Sequence, residues 1–169
     1  MTYKEEERMM YITCLDVEGV LVPEIWIAFA KASNIPELKK TTRDEPDYDK
    51  LMKWRLGILK EHGLGLKEIQ ETIAKIDPLP GAKEFLDELR TFSQVILISD
   101  TFTQFATPLM EKLGWPTLFC NTLEVAEDGE ITGFKMRVEQ SKLITVKALQ
   151  SIGFDTIASG DSYNDLGMI

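Results

Sequence analysis

The chain has 169 residues, 44% of them hydrophobic, which is enough to bury one sizeable core with a small appended domain. With 19 Lys+Arg against 28 Asp+Glu the net charge is −9, and no basic run exists, so nucleic acid and anionic membrane are poor partners. No apolar run approaches the roughly 20 residues that span a bilayer, and Glu5-Glu6-Glu7-Arg8 ahead of a short apolar run excludes a secretory signal.

In chain order, the pattern predicts a first strand over about Met9 to Asp16 and an amphipathic helix over Glu24 to Ala32. Pro23 opens that helix, and Ile25, Trp26, Phe29 and Ala30 share its buried face. Asn34 to Asp47 holds Pro36 and Pro46 and reads as loop. Helices follow over Tyr48 to Glu61 and Leu66 to Ile76, then a stop at Asp77-Pro78-Leu79-Pro80-Gly81 that reads as a hinge. Beyond it the elements alternate: helix Ala82 to Arg90, strand Gln94 to Ser99, helix Thr103 to Leu113, strand Thr117 to Cys120. A hairpin follows, with Glu124 to Ala126 and Ile131 to Met136 flanking Asp128-Gly129. Helix Ser141 to Ile152 and strand Thr156 to Ser159 complete the pattern.

Such alternation predicts an α/β fold with a doubly wound, Rossmann-like, mainly parallel sheet and ligands outside the carboxyl ends of its strands. The helical block interrupts the alternation. It divides the chain into a discontinuous core (1–22 and 79–169) and a helical cap (23–78). Cys14 and Cys120 lack metal-ligand spacing and read as free buried thiols of a reducing cytoplasm. His62, beside a helix stop, reads as a C-terminal turn residue.

The chemistry sits where strands end. Asp16 and Glu18 are two apart and point to the same side, so two carboxylates stand together. They stay ionised together only with a cation or proton between them. Asp16 is the candidate nucleophile toward a phosphate monoester, and that attack on a like-charged target calls for a divalent cation. Mg²⁺ suits oxygen donors, and the candidate ligands are Asp16, the Glu18 main-chain carbonyl and Asp161. Glu18 is the candidate general acid. Ser99, Asp100 and Thr101 follow a strand and precede a helix, where hydroxyls and free N–H groups hold phosphate, although the same pattern also serves as an ordinary helix cap. Lys142 stands at a helix start, against the helix dipole, which a phosphate and nearby acids would explain; Lys147 competes for the role. In Gly160-Asp161-Ser162-Tyr163-Asn164-Asp165, Asn164 and Asp165 are candidates for orienting metal waters or Lys142.

The segments LDVEGVLVPEIWIAFA, TTRDEPDYDKLMKWRLGIL, ILISDTF and SGDSYND resemble the haloacid dehalogenase superfamily of aspartate-nucleophile phosphotransferases, in its phosphoserine phosphatase branch. They are most similar to the bifunctional phosphoserine phosphatase/homoserine phosphotransferase enzymes. The resemblance implies a Rossmann-like core with a helical cap, Mg²⁺, an aspartyl-phosphate on Asp16 and a small phosphorylated amino acid as substrate. By the same resemblance Glu24 meets the substrate amine and Arg55 its carboxylate. Two departures stand out. Most of the superfamily has aspartate at the position of Glu18. The sequence also stops at Ile169, where relatives continue with a strand and helix, so the family's C-terminal edge strand is expected to be missing. Water and homoserine both stand as phosphoryl acceptors, and the oligomeric state is left open.

Rival readings are a phosphatase of another small phosphorylated metabolite, a truncated and inactive ligand-binding relative, or an aspartate-phosphorylated receiver. A receiver has its phosphorylated aspartate on a later strand and no cap. A P-loop kinase is disfavoured by the absence of G-x-x-x-x-G-K-[ST].

Overall fold

The computed structural model describes residues 11–169. The first strand, β1, runs Tyr11–Leu15; Met9 and Met10, its expected start, lie outside the described residues. After it come α1 (Ile25–Ser33), α2 (Tyr48–Glu61), α3 (Leu66–Ile73), α4 (Ala82–Leu89), β2 (Gln94–Phe102) and α5 (Thr103–Lys112). The chain continues through β3 (Thr117–Val125), β4 (Ile131–Lys135), α6 (Ser141–Ser151) and β5 (Asp155–Ser159). The sheet order is β4-β3-β2-β1-β5, parallel throughout except for the antiparallel β3–β4 hairpin. The expected doubly wound sheet is therefore present.

Three expectations are corrected. The strands read as Thr117 to Cys120 and Glu124 to Ala126 are one, because Gln104 supplies both a donor and an acceptor to the Leu123 backbone (3.0 Å each) and β3 continues past the polar stretch. β2 runs to Phe102 rather than stopping at Ser99. The Asn34 to Asp47 loop contains a short 3-10 helix, Pro36–Lys39, with proline at its start and Leu38 buried.

Period-two alternation explains the two faces. From β1 and β2, Leu15, Val95 and Leu97 enter the larger apolar cluster, which α4, α5 and the inserted helices share. Ile12, Cys14 and Ile98 point the other way, to a smaller cluster that α6 covers with Val146 and that Met168 joins. The α1 face forms as the spacing predicts, with Ile25, Trp26, Phe29 and Ala30 buried.

The inserted helices are tied to the sheet unit by hydrogen bonds as well as by apolar contact. Pro108 inside α5 lacks the N–H that would bond the Gln104 carbonyl, and Gln70 of α3 donates to that carbonyl instead (2.9 Å). The way in and the way out of the insertion lie side by side, Leu79 N–H donating to the Leu21 carbonyl at 2.8 Å. His62 caps α2 through a 2.9 Å contact of Nδ1 with the Ile58 carbonyl, as the turn reading expects.

Candidate active site

Three strand ends deliver the acids and hydroxyls to one cavity of about 270 Å³. Asp16 follows β1, Ser99, Asp100 and Thr101 occupy the end of β2, and Asp161 follows β5. Glu18, Glu24, Arg55, Lys142 and Asn164 line the same cavity. Asp165 lies behind it, fully buried. Of the two candidate lysines, Lys142 lines the cavity, whereas Lys147 is exposed elsewhere on α6.

Asp16, Lys142 and Asp165 form the buried electrostatic centre. Lys142 Nζ stands 3.1 Å from Asp16 Oδ2 and also donates to Asp165 Oδ1. Burial works against the lysine's charge, but Asp16, Asp165 and Asp100 outweigh it and raise its pKa. The helix-start position that looked unfavourable is thus compensated by two carboxylates. Asp165 is further held by Ser162, whose N–H and hydroxyl both donate to Oδ2 at 2.8 Å. Although burial opposes ionisation of Asp165, these donors and Lys142 hold its pKa low. Asp16 differs: burial lifts its pKa to about 6 against the pull of Lys142. Its Oδ1 accepts the Val17 N–H at 2.8 Å.

Asp16, Asp161 and Asp165 can each present a carboxylate oxygen within 4.8 Å of the others. This is a hard-oxygen donor set of the kind that divalent cations take. Asp165 already accepts three hydrogen bonds, whereas Asp161 is exposed and lies against Gly19. The Gly19 backbone has φ +80°, and a Cβ there would overlap the Asp161 carboxylate. Glycine therefore serves both the turn and the close approach.

Glu18 is half-buried, and its Oε2 accepts the Ile25 N–H at 3.0 Å, so the acid caps the first inserted helix. Burial, with Asp16 and Glu24 adding repulsion, pushes its pKa to about 7. Ser99 Oγ accepts the Thr101 N–H at 3.2 Å, and both residues are buried. Phe102, not a hydroxyl residue, precedes α5, and no side chain caps it. The ordinary helix-cap alternative for Ser99 and Thr101 therefore falls away.

On the α2 side of the cavity lining Arg55 is buried, with its guanidinium 4.5 Å from the Trp26 ring centroid and Nη2 donating to the Lys40 carbonyl at 2.8 Å. Its Nε has no hydrogen-bond partner among the described residues. Burial lowers the Arg55 pKa to about 10, with Glu18 and Glu24 pulling against that shift. Glu24 is exposed at the rim. Sequence reasoning did not single out Thr41, Thr42, Arg43 or Tyr48, which also line the cavity. It also missed Asn121 and Arg137, which stand behind the Ser99–Thr101 turn. Thr41, Thr42, Arg43 and Tyr48 fall in the helical block, away from any predicted strand end; Asn121 and Arg137 directly follow predicted strands, the position that marked Asp16, Ser99 and Asp161, but carry neither an acid nor a hydroxyl.

Residues 14–169 match the haloacid dehalogenase-like hydrolase family. Phosphoserine phosphatase ThrH of Pseudomonas aeruginosa is 55% identical over 160 residues, spanning 95% of this chain and 78% of the relative. A phosphoserine phosphatase of Pseudomonas syringae pv. tomato is 52% identical over 158 residues, spanning 94% of this chain and 67% of the relative. Among solved structures, a phospho-aspartyl intermediate analogue of phosphoserine phosphatase superposes with TM-score 0.75 at 25% identity, covering 95% of this chain and 82% of that one. Among the described residues, no helix is long and apolar enough to cross a membrane. With its matched sequence, its parallel sheet and its acids at the strand ends, the chain belongs to the haloacid dehalogenase-like hydrolases.

Proposed function

We propose that this chain is a phosphoserine phosphatase that also passes the phosphoryl group to homoserine. The observation that carries the reading is one cavity lined both by the Asp16–Lys142 pair and by buried Arg55 with Glu24. Such a cavity suits a small molecule with phosphate at one end and an amino acid's charged groups at the other. The identity to relatives named phosphoserine phosphatase supports the same substrate.

In this reading an Asp16 carboxylate oxygen attacks phosphorus, the bond from phosphorus to the serine oxygen breaks, and Glu18 gives its proton to that oxygen. Near neutral pH, with its pKa raised to about 7, a substantial fraction of Glu18 carries the proton it must give. Glu18, now ionised, takes a proton from water or from the homoserine hydroxyl, which attacks phosphorus and frees Asp16. Lys142 holds the Asp16 carboxylate in place and offsets negative charge at the phosphoryl group. Ser99 and Thr101 hold the phosphoryl oxygens. Mg²⁺ held by Asp16, the Glu18 main-chain carbonyl and Asp161 would neutralise the phosphate and its attacker. Asp165 orients Lys142, and Asn164 at the rim orders water near the metal.

Residues 23–78 act as a cap over this site. Arg55 grips the substrate carboxylate and Glu24 its amine, holding an acceptor hydroxyl close to Asp16. Positioning of that kind is worth an effective concentration of roughly 10⁵ M or more, so a bound alcohol competes with water. The buried Cys14 and half-buried Cys120, both free thiols, fit a reducing cytoplasm.

Incubation of the purified chain with phosphoserine and Mg²⁺ tests the reading. Serine and phosphate are expected, chelator stops the reaction, and added homoserine diverts phosphate into phosphohomoserine. Turnover of other phosphorylated metabolites but not phosphoserine would overturn the substrate. Serine and phosphate released in equal amounts at every homoserine concentration would overturn the transfer.

A further inference from the structure

Between the pairs Ile98–Phe119 and Phe102–Asn121 the β2–β3 ladder slips, leaving Ser99, Asp100 and Thr101 opposite Cys120 alone. Bulges of this kind occur beside active sites, where they re-aim side chains and leave backbone groups without ladder partners. Here the Asp100 carbonyl accepts a 3.0 Å hydrogen bond from Asn121 Nδ2, so a side chain of the next strand replaces the missing ladder donor. Tyr48 of α2 reaches the same carbonyl with its hydroxyl at 3.5 Å.

The other end of the Asn121 amide is also occupied. Its Oδ1 accepts the Arg137 N–H at 2.9 Å. The Arg137 guanidinium stacks 5.2 Å from the Phe119 ring centroid, and Nη2 donates to Ser141 Oγ (2.6 Å) and Thr145 Oγ1 (2.9 Å) on α6. Ser141 directly precedes Lys142. A continuous polar path therefore joins the bulge holding Ser99 and Thr101 to the start of the helix that presents Lys142. Asn121 is 1% exposed, and an amide buried this deeply with donor and acceptor both used is strongly held in one orientation.

We propose that Asn121 is a positioning residue for phosphate: with Arg137 it fixes the Ser99–Thr101 bulge against the helix bearing Lys142. The proposal rests on the phosphatase reading above for its use in turnover. The residue does not touch the reacting atoms; it sets where the groups that do so stand. An asparagine that merely completed the β3 fold would affect melting and leave phosphate affinity alone.

The discriminating variant is N121D, which keeps the shape but loses the N–H donor toward Asp100. Binding of inorganic phosphate with Mg²⁺, measured by calorimetry, is expected to weaken about tenfold or more. Because every substrate shares the phosphate, kcat/KM for phosphoserine and for a chromogenic phosphate ester should fall by the same factor. Phosphate affinity and both kcat/KM values within twofold of the unaltered chain, whatever the change in melting temperature, would overturn the assignment. If N121D yields no folded protein, R137Q at the exposed far end decides; about threefold weaker phosphate binding supports the path and unchanged binding overturns it. If the unaltered chain binds phosphate but does not hydrolyse phosphoserine, the proposed function fails while the Asn121 comparison still stands on phosphate binding.

Discussion

Among the groups that the sheet unit brings to the cavity, Lys142 is clasped between Asp16 and Asp165, whereas on the inserted helices Arg55 keeps a buried Nε without a hydrogen-bond partner among the described residues. In the first region the buried lysine has two carboxylate neighbours, and Asp165 accepts from three donors. The second is held by stacking on Trp26 and one main-chain carbonyl, with Glu24 exposed beside it. A group built for the same chemistry on every substrate can be preorganised within the fold. A group that recognises one substrate keeps unspent hydrogen-bonding capacity for the ligand to satisfy. In the proposed function the difference separates phosphoryl-transfer groups from recognition groups, and each variant below breaks one set and spares the other.

The largest effect is expected at Asp16. Asp16→Asn nearly preserves the side chain's size but removes the nucleophile and a metal donor, so turnover should fall by several orders of magnitude. Phosphate release and acid-trapped phosphoenzyme measure it, and turnover near that of the unaltered chain would remove Asp16 from the role.

Lys142→Met comes next and cuts the same set differently. It leaves Asp16 and Asp165 buried without their shared cation, and breaking a buried pair costs about 3–5 kcal/mol of stability. Turnover should drop roughly 10²–10³-fold, the scale seen when one preorganised electrostatic donor is lost. Urea unfolding and steady-state rates check both parts; an unchanged stability would show that the carboxylates find another partner.

Gly19→Ala acts through the loop of Asp161, a proposed metal ligand. The new Cβ meets Asp161 and the backbone holds a φ of +80° that alanine resists. The Mg²⁺ concentration for half-maximal activity should rise roughly tenfold, as when a ligand's support is disturbed. A Mg²⁺ titration that superimposes on that of the unaltered chain would separate Gly19 from the metal.

The smallest and most selective effect belongs to Arg55→Lys. Lysine retains the charge and one donor but loses the planar two-bond grip, a loss on the order of one net hydrogen bond, about 0.5–1.5 kcal/mol. KM for phosphoserine should rise while a chromogenic ester is used as before. Equal losses on both substrates would move Arg55 from recognition to folding.

Much of this molecule was legible before its structure. Local periodicity carries its own geometry: alternation on β1 and β2 sorts Leu15, Val95 and Leu97 from Ile12, Cys14 and Ile98, and the α1 spacing buries Ile25, Trp26, Phe29 and Ala30. Because parallel strands align their carboxyl ends, acids and hydroxyls placed at the ends of apolar runs were bound to meet, and Asp16, Ser99 and Asp161 do so. The tertiary structure alone decided the rest. Whether Lys142 or Lys147 faced the acids depended on the rotation of α6 against the sheet. The continuity of β3 came from Gln104 on a neighbouring helix, and the Ser99–Thr101 bulge from register between strands. Asn121 meets Asp100 across a separation of 21 residues, and Tyr48 meets it across 52. A residue's own neighbours determine which face it takes, but cross-strand register and helix rotation are set by packing of the whole core, and no local pattern encodes them.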